Sequence, residues 1–362
     1  MDSAKCEWVC AYRLREWQNY DIDAEFEGGF KLSTIGLVIP YWNDITKDEI
    51  IDFAQLVEGL GYDSIWVPEM WGRDAFSILS VIALNTKRIK LGTGIVSVFS
   101  RTPAIIAQTI ATLDEFSEGR VILGLGTSGP VVIENWHGVN FDQPLRRTRE
   151  YVEIIRMIIS GQRVNYEGDI FKLKNFSLQF KPFREVIPIY IASIGPKNMM
   201  LTGEIADGWI PFLVPIEHYT QTGDYLRAGA EEGGRQFDNI KVCPYIPALV
   251  SDDEDASRRL IKEYVAFYIG AMGTYYSGLI RRYGFQDEAN SIVEAWKKGS
   301  KEEAIKGVSD SLLNSVAITG SANAGKIKME EFRKAGADIP IIIFPPKASR
   351  DLVKQTINNL SP

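Results

Sequence analysis

Short apolar runs rich in Val, Ile and Gly recur along the chain, separated by longer stretches with a helical spacing of apolar positions. Eight runs read as strands: Ser33 to Pro40, Asp63 to Val67, Ile89 to Val98, Arg120 to Gly126, Ile187 to Ser193, Asp207 to Phe212, Ile240 to Val250 and Ile339 to Phe344. Apolar runs bounded by turn residues are the pattern of buried parallel strands, and strand–helix alternation with short connections is that of a parallel α/β protein. The helices between them carry end signals. Thr46 with Glu49 three residues on is a capping box for a helix to Leu60, which Gly61 stops. Asp74 caps the next, whose apolar residues include Phe76, Ile78, Leu79, Val81, Ile82 and Leu84. Pro103 suits the first turn of a helix to Phe116, where its missing N–H is no loss. Further helices are expected over Leu145 to Ser160, from Asn198, Ile216 to Gly233, Ala322 to Ala335 and Ala348 to Leu360.

Three segments depart from this alternation. Gln162 to Arg184 has short β-like pieces and reads as a hairpin-like excursion before the fifth strand. Asp253 to about Ser315 reads as a helical insertion rich in Tyr and charge, closed by Ser315 to Thr319. Residues 1–32 form an N-terminal extension, in which Trp8, Val9, Tyr12, Leu14 and Trp17 either stripe a short docked helix or belong to an irregular arm. Eight strands each followed by a helix, with no internal linker, predict one (β/α)8 TIM barrel over residues 33–362, with the insertion 253–315 after strand 7.

Composition narrows the function. The 362 residues include 45% apolar types, and no 18-residue apolar stretch exists to span a membrane. A net charge of −7 argues against a nucleic-acid partner, since phosphate binding needs a basic face. Cys6, Cys10 and Cys243 are too few for a disulfide framework, and with only His137 and His218 a structural zinc site is not expected. A reduced, cytoplasmic, soluble enzyme is the expectation.

In a (β/α)8 barrel the site lies at the C-terminal ends of the strands. That rule collects Pro40 to Asn43, Glu69 to Trp71, Gly94 to Ser97, Gly126 to Gly129, Ser193 to Lys197, Phe212 and Phe344 around one mouth. Gly94, Ser97, Thr127 and Ser128 are small residues at consecutive strand ends, which let backbone N–H and hydroxyl groups approach a planar polar ligand; one such glycine alone equally serves packing. Ser193-Ile194-Gly195-Pro196-Lys197 is a strand-to-helix turn with free N–H groups at the positive end of a helix dipole, an anion site with Lys197 as a point charge. Among proton donors, His137 and Glu134 lie on the loop after the fourth strand, and imidazole suits exchange near neutral pH. Trp42, Trp71, Trp136, Trp209 and Phe212 are candidates for an apolar substrate wall. Arg146, Arg147 and Arg149 either meet an anionic ligand tail or form a solvated face.

The string LGTGIVSVFSRTPAIIAQTIATLDEFSEGRVILGLGTSGP resembles the bacterial luciferase-like superfamily, and within it the branch that uses the deazaflavin coenzyme F420, such as methylenetetrahydromethanopterin reductase and F420-dependent glucose-6-phosphate dehydrogenase. The resemblance implies a non-prolyl cis peptide at Gly94-Ile95 behind the cofactor ring, an acidic cofactor contact at Glu69, and the coenzyme's phosphate at Ser193 to Lys197. It implies hydride transfer between the deazaflavin and an organic substrate, in a homodimer paired through helices such as 74–87. Two departures are plain: the His that commonly follows the acidic residue is Met70, and a glutamate of the sugar-phosphate enzyme is Gly129. Neither can move a proton, which leaves Glu69, Glu134 and His137 as acid–base candidates. The alternatives are an FMN-dependent monooxygenase of the same fold and a non-catalytic flavin-binding barrel.

Overall fold

The computed structural model describes residues 34–70 and 72–362; the extension 1–32 and Trp71 lie outside them. Among the described residues thirteen strands follow in chain order: β1 Gly36–Val38, β2 Ser64–Val67, β3 Lys90–Thr93, β4 Val96–Ser97, β5 Val121–Gly126, β6 Val164–Glu167, β7 Lys172–Phe176, β8 Ile189–Ala192, β9 Gly208–Trp209, β10 Lys241–Val242, β11 Tyr245–Val250, β12 Ile318–Gly320 and β13 Ile341–Ile343. The main sheet runs β10-β9-β8-β5-β3-β2-β1-β13-β11-β12, with every pairing parallel. β10 and β11 belong to one run of chain. Its start pairs with β9, Tyr245 to Pro247 pair with β13, and Tyr245 bridges to Phe212, so the sheet closes into a barrel.

Helices α1 Lys47–Gly59, α2 Ala75–Asn85, α3 Pro103–Phe116, α4 Pro144–Ile159, α5 Pro196–Ile205 and α6 Tyr219–Glu232 connect successive barrel strands. Their start signals work as expected. Thr46 Oγ1 accepts from Glu49 N–H at 3.2 Å while Glu49 accepts from Thr46 N–H at 2.9 Å, Asp74 accepts from Ser77 N–H at 2.7 Å, and Thr102 caps α3 with Pro103 in its first turn. The excursion after the seventh strand is helical: α7 Glu254–Ala271, α8 Tyr275–Arg282, α9 Gln286–Lys297, α10 Lys301–Lys306 and α11 Asp310–Val316. α12 Ala322–Lys334 and α13 Arg350–Asn359 complete the set. The segment 162–184 holds the antiparallel pair β6–β7, and three N–H groups of its turn, from Asp169, Ile170 and Phe171, are gathered by the buried Glu150 carboxylate of α4.

Three local differences from the expected elements have physical causes. The third run is split into β3 and β4 by the cis Gly94-Ile95 peptide. The seventh run is interrupted at Cys243-Pro244, where proline has no N–H for a ladder, and its carbonyl instead accepts from Ile341 N–H at 2.8 Å. The segment expected only to close the insertion contributes β12, paired with Ala248–Val250, because Ile318 to Gly320 returns the chain beside the far end of β11.

Strand side chains divide between two cores. Leu37, Ile65, Leu91, Leu123 and Ile191 pack outward against the helices, while Val38, Trp66, Ile122, Tyr190, Ile210, Tyr245 and Ile341 fill the barrel interior. Large rings inside need bare backbone opposite them. A Cβ on Gly92 would lie 2.2 Å from the Trp66 ring, and one on Gly208 would lie 2.6 Å from Tyr190. These glycines are packing devices, and the interior they fill forms the floor of the site.

Candidate functional site

The strand ends expected to converge do so. Tyr41, Glu69, Met70, Gly94, Ile95, Gly126 to Gly129, Ser193 to Gly195, Phe212 and Phe344 all line one cavity of about 920 Å³ at the C-terminal mouth of the barrel. A cavity of this size accepts a ligand as large as a cofactor. One wall comes from the barrel; the other comes from α7, α8 and the α9–α10 region of the insertion.

The barrel wall is small and polar. Thr127 donates to Ser128 O at 3.1 Å, and Ser128 holds the turn in the left-handed region at φ 58°. Gly126 faces Ile95, whose side chain a Cβ would meet at 2.9 Å. Gly94 packs under the Tyr245 ring, whose hydroxyl is buried and has no hydrogen-bond partner among the described residues. Burial pushes the Tyr245 phenol well above its ordinary value, so it is a neutral donor at the cavity floor.

Glu69 closes one side. Arg101 holds both its carboxylate oxygens, at 2.5 and 2.8 Å, and Ala75 N–H adds a contact at 3.2 Å. Arg101 itself sits over the Phe76 ring, bonds Asp74, and has its carbonyl capped by the Tyr151 hydroxyl. This bidentate clamp fixes Glu69 at the strand end. Next to it, the Tyr41 hydroxyl donates to Pro68 O at 3.2 Å, and burial together with the Glu69 charge pushes its phenol up to about 12.

The opposite side is the turn before α5. Ser193 is buried, its hydroxyl bonded to Thr202 at 2.8 Å and its carbonyl to Trp209 Nε1 at 2.8 Å, so this strand end is rigid. Gly195 is the N-cap of α5, with Pro196 in the first turn and no side chain capping the helix. The N–H groups of Lys197 and Asn198 therefore lack intrahelical acceptors. Asn198 lines the cavity with a buried side-chain oxygen that has no partner, and Gly195 has open space beyond it. Arg282 of α8 reaches across to Ile194 O at 3.0 Å and brings a cation to the same corner. Donors without acceptors beside a cation fit an anionic group.

Several expected residues lie elsewhere. Lys197 is exposed and outside the cavity lining, because α5 turns its side chain toward solvent. Ser97 is buried in the turn after β4, where its hydroxyl accepts from Phe99 N–H at 3.2 Å, and it does not reach the cavity. Glu134 and His137 are exposed on a π-helical turn, Val131–Trp136, that presents Val131 and Val132 to the cavity instead; Glu134 accepts from Phe141 N–H at 3.3 Å. The structure does not bring these two acid–base candidates to the mouth. Of the aromatic candidates among the described residues, which leave out Trp71, only Phe212 lines the cavity: Trp42 bonds Ala348 O at 2.7 Å, Trp209 is core, and Trp136 lies outside. The arginines of α4 are ion-paired, Arg146 to Glu150 and Asp169, Arg147 to Asp142 and Arg149 to Glu204, and none lines the cavity.

Sequence reasoning missed Tyr245, Asn198, Arg101 and the insertion's tyrosines. The one available signal was the concentration of Tyr in the insertion. Among the described residues, no helix is long and apolar enough to cross a membrane, and no group of His, Cys, Asp and Glu could hold a metal ion.

Comparison with known proteins agrees with this geometry. The family model for luciferase-like monooxygenases matches residues 26–338. A Mycobacterium tuberculosis protein assigned by name to the coenzyme F420-dependent oxidoreductases is 31% identical over 87% of this chain and 95% of its own length. The 5,10-methylenetetrahydromethanopterin reductase of Archaeoglobus fulgidus is 32% identical over 82% of this chain and 90% of its own. The solved coenzyme F420-dependent tetrahydromethanopterin reductase of Methanopyrus kandleri superposes with a TM-score of 0.79 at 26% identity, covering 91% of this chain and 98% of that one.

Proposed function

The chain belongs to the luciferase-like monooxygenase family, and from that premise we propose that it is a coenzyme F420-dependent oxidoreductase acting on a small organic substrate. The observation that carries the reading is the corner of Gly195, Asn198 and Arg282. There the uncapped backbone N–H groups of Lys197 and Asn198, with the Arg282 guanidinium beside them, offer donors to an anion inside the same cavity that the small polar strand ends line. A planar ring with a phosphate-bearing tail fits that pairing of a flat polar wall and an anion corner.

When bound, the deazaflavin supplies the hydride chemistry at C5. The chain's residues supply placement. Gly94, Ile95, Thr127 and Ser128 present backbone and small side chains to a ring lying on the mouth. Lys197 and Asn198 N–H with Arg282 hold the anionic tail, and Glu69, clamped by Arg101, sets the edge of the wall. The aromatic face of the insertion excludes water from the reacting side. Assembly as a homodimer through α2 is part of the proposal, since Leu84 is 67% exposed there and Ile105 and Phe116 are exposed on the adjoining α3.

The test is a titration of the purified chain with F420 and, separately, with FMN, followed by fluorescence. Saturable F420 binding with weaker FMN binding supports the reading. FMN bound more tightly favours the monooxygenase alternative, and binding of neither favours a barrel without a cofactor.

A further inference from the structure

The helices of the excursion carry chemistry that the cofactor reading does not use. On α7, Leu260, Tyr264, Phe267 and Tyr268 recur at helical spacing and face the cavity. Phe212, at the end of the sixth strand, packs edge-on against Tyr268 at 4.7 Å, Tyr276 at 5.7 Å and Tyr264 at 6.2 Å. Tyr264 to Tyr268 is 5.0 Å and Tyr268 to Tyr276 is 5.1 Å, both T-shaped, so four rings form one cluster. An insertion that only covered the barrel would place Leu or Phe here, since a buried hydroxyl without a partner costs free energy.

The hydroxyls are not used up. Tyr264 donates to Tyr268 at 3.4 Å, a long contact, and the Tyr268 proton has no acceptor among the described residues. The Tyr276 hydroxyl, on a ring that lines the cavity, has no hydrogen-bond partner among the described residues. Burial raises both phenols above their ordinary value, so they stay neutral donors throughout the neutral range. Charges on the same wall are spent or solvated: Glu263 pairs with Lys347 at 2.5 Å, Arg282 bonds Ile194 O, and Lys301 is exposed at the rim.

We propose that the helical excursion 254–316 builds the substrate subsite, that it takes an uncharged and mainly apolar molecule bearing one hydrogen-bond-accepting oxygen, and that the Tyr268 and Tyr276 hydroxyls receive that oxygen. The proposal deepens the reading above and rests on it for assigning this lobe to the substrate. The chemistry of the wall sets the class. Four rings gain by burying an apolar body, free neutral donors gain by meeting a carbonyl or ether oxygen, and the cations of the cavity are committed elsewhere, Arg282 at the turn before α5, Lys347 to Glu263 and Lys301 at the exposed rim. Tyr264 orients the Tyr268 hydroxyl from behind.

The test uses the full chain and three probes built on one six-membered ring: cyclohexanone, cyclohexanecarboxylate and methylcyclohexane. Binding is read by tryptophan fluorescence, since Trp296 lines the same lobe. The ketone should bind at least about tenfold more tightly than the carboxylate, because the cations of this wall are paired or exposed at its rim rather than set among the four rings. The double substitution Tyr268→Phe with Tyr276→Phe, which keeps both rings, should weaken the ketone about five- to tenfold and leave methylcyclohexane unchanged. Equal or tighter carboxylate binding, no saturable binding of the ketone, or full ketone affinity in the double variant overturns the proposal. If the variant does not fold, the probe series on the unsubstituted chain still decides. F420 titration is a separate arm: ketone preference without F420 binding removes the cofactor reading and keeps the subsite, and the converse removes only the subsite.

Discussion

Replacing Gly195 with leucine separates folding from ligand binding. Gly195 has φ −97° and ψ 144°, an extended conformation open to any residue, and an added Cβ meets nothing within 4 Å. The fold therefore has no steric need for glycine here. Loss of a favourable N-cap residue and a smaller unfolded-state entropy oppose each other, leaving a stability change within about 1 kcal/mol. The open space is the cavity itself, where the leucine would stand between an incoming anion and the N–H groups of Lys197 and Asn198. Losing one or two hydrogen bonds to a charged group costs about 2–4 kcal/mol. That is roughly 30- to 1000-fold in Kd. F420 affinity is read by fluorescence titration, and Tm by calorimetry. A Kd within about threefold of the unsubstituted chain refutes the placement, because hydrogen bonds of that strength cannot be lost silently. A large fall in Tm would show instead that the glycine serves the fold.

Leu84→Glu should convert a dimer into a monomer in sedimentation at micromolar concentration, because it puts a charge into the exposed apolar face of α2; a monomeric unsubstituted chain contradicts the proposed assembly. Arg101→Met leaves the partly buried Glu69 without its clamp and should lower stability to urea by about 1–3 kcal/mol, with Cm as the readout. Glu49 is pulled down to about 2, chiefly by its hydrogen bond from Arg350 and then by the Thr46 N–H. Its folded pKa lies below the unfolded one, so its stabilisation is present above about pH 4.5 and lost as pH falls toward 2. Glu49→Gln should thus lower Tm by roughly 1–3 °C at pH 7, the pair being largely exposed, with the difference shrinking below pH 4.5; a difference that grows on acidification contradicts the sign.

The barrel was legible because its signals are local and repeated. Capping boxes, Pro103 and the spacing of apolar runs each act within one turn or one strand, and the mouth followed from topology alone. What was not legible depends on partners distant in the chain. Glu69 looks like a free acid until Arg101, 32 residues on, folds across it. His137 looks available until the π-helical turn swings it outward, and Lys197 until α5 starts at Pro196, two residues earlier than the sequence suggests. The glycines were ambiguous for the same reason: Gly92 answers to Trp66 and Gly94 to Tyr245, a ring about 150 residues away in the chain. The tyrosines of the insertion were visible as composition. Only their convergence on Phe212 gives them a role.

The central claim is that this cavity holds a deazaflavin coenzyme, and competitive titration tests it most directly. The purified chain is loaded with F420, and FMN is added while F420 fluorescence is followed, with the reverse titration as control. The account predicts that F420 binds at least about tenfold more tightly than FMN, a difference of about 1.4 kcal/mol. Displacement of F420 by stoichiometric FMN, or no binding of F420 at all, would contradict it.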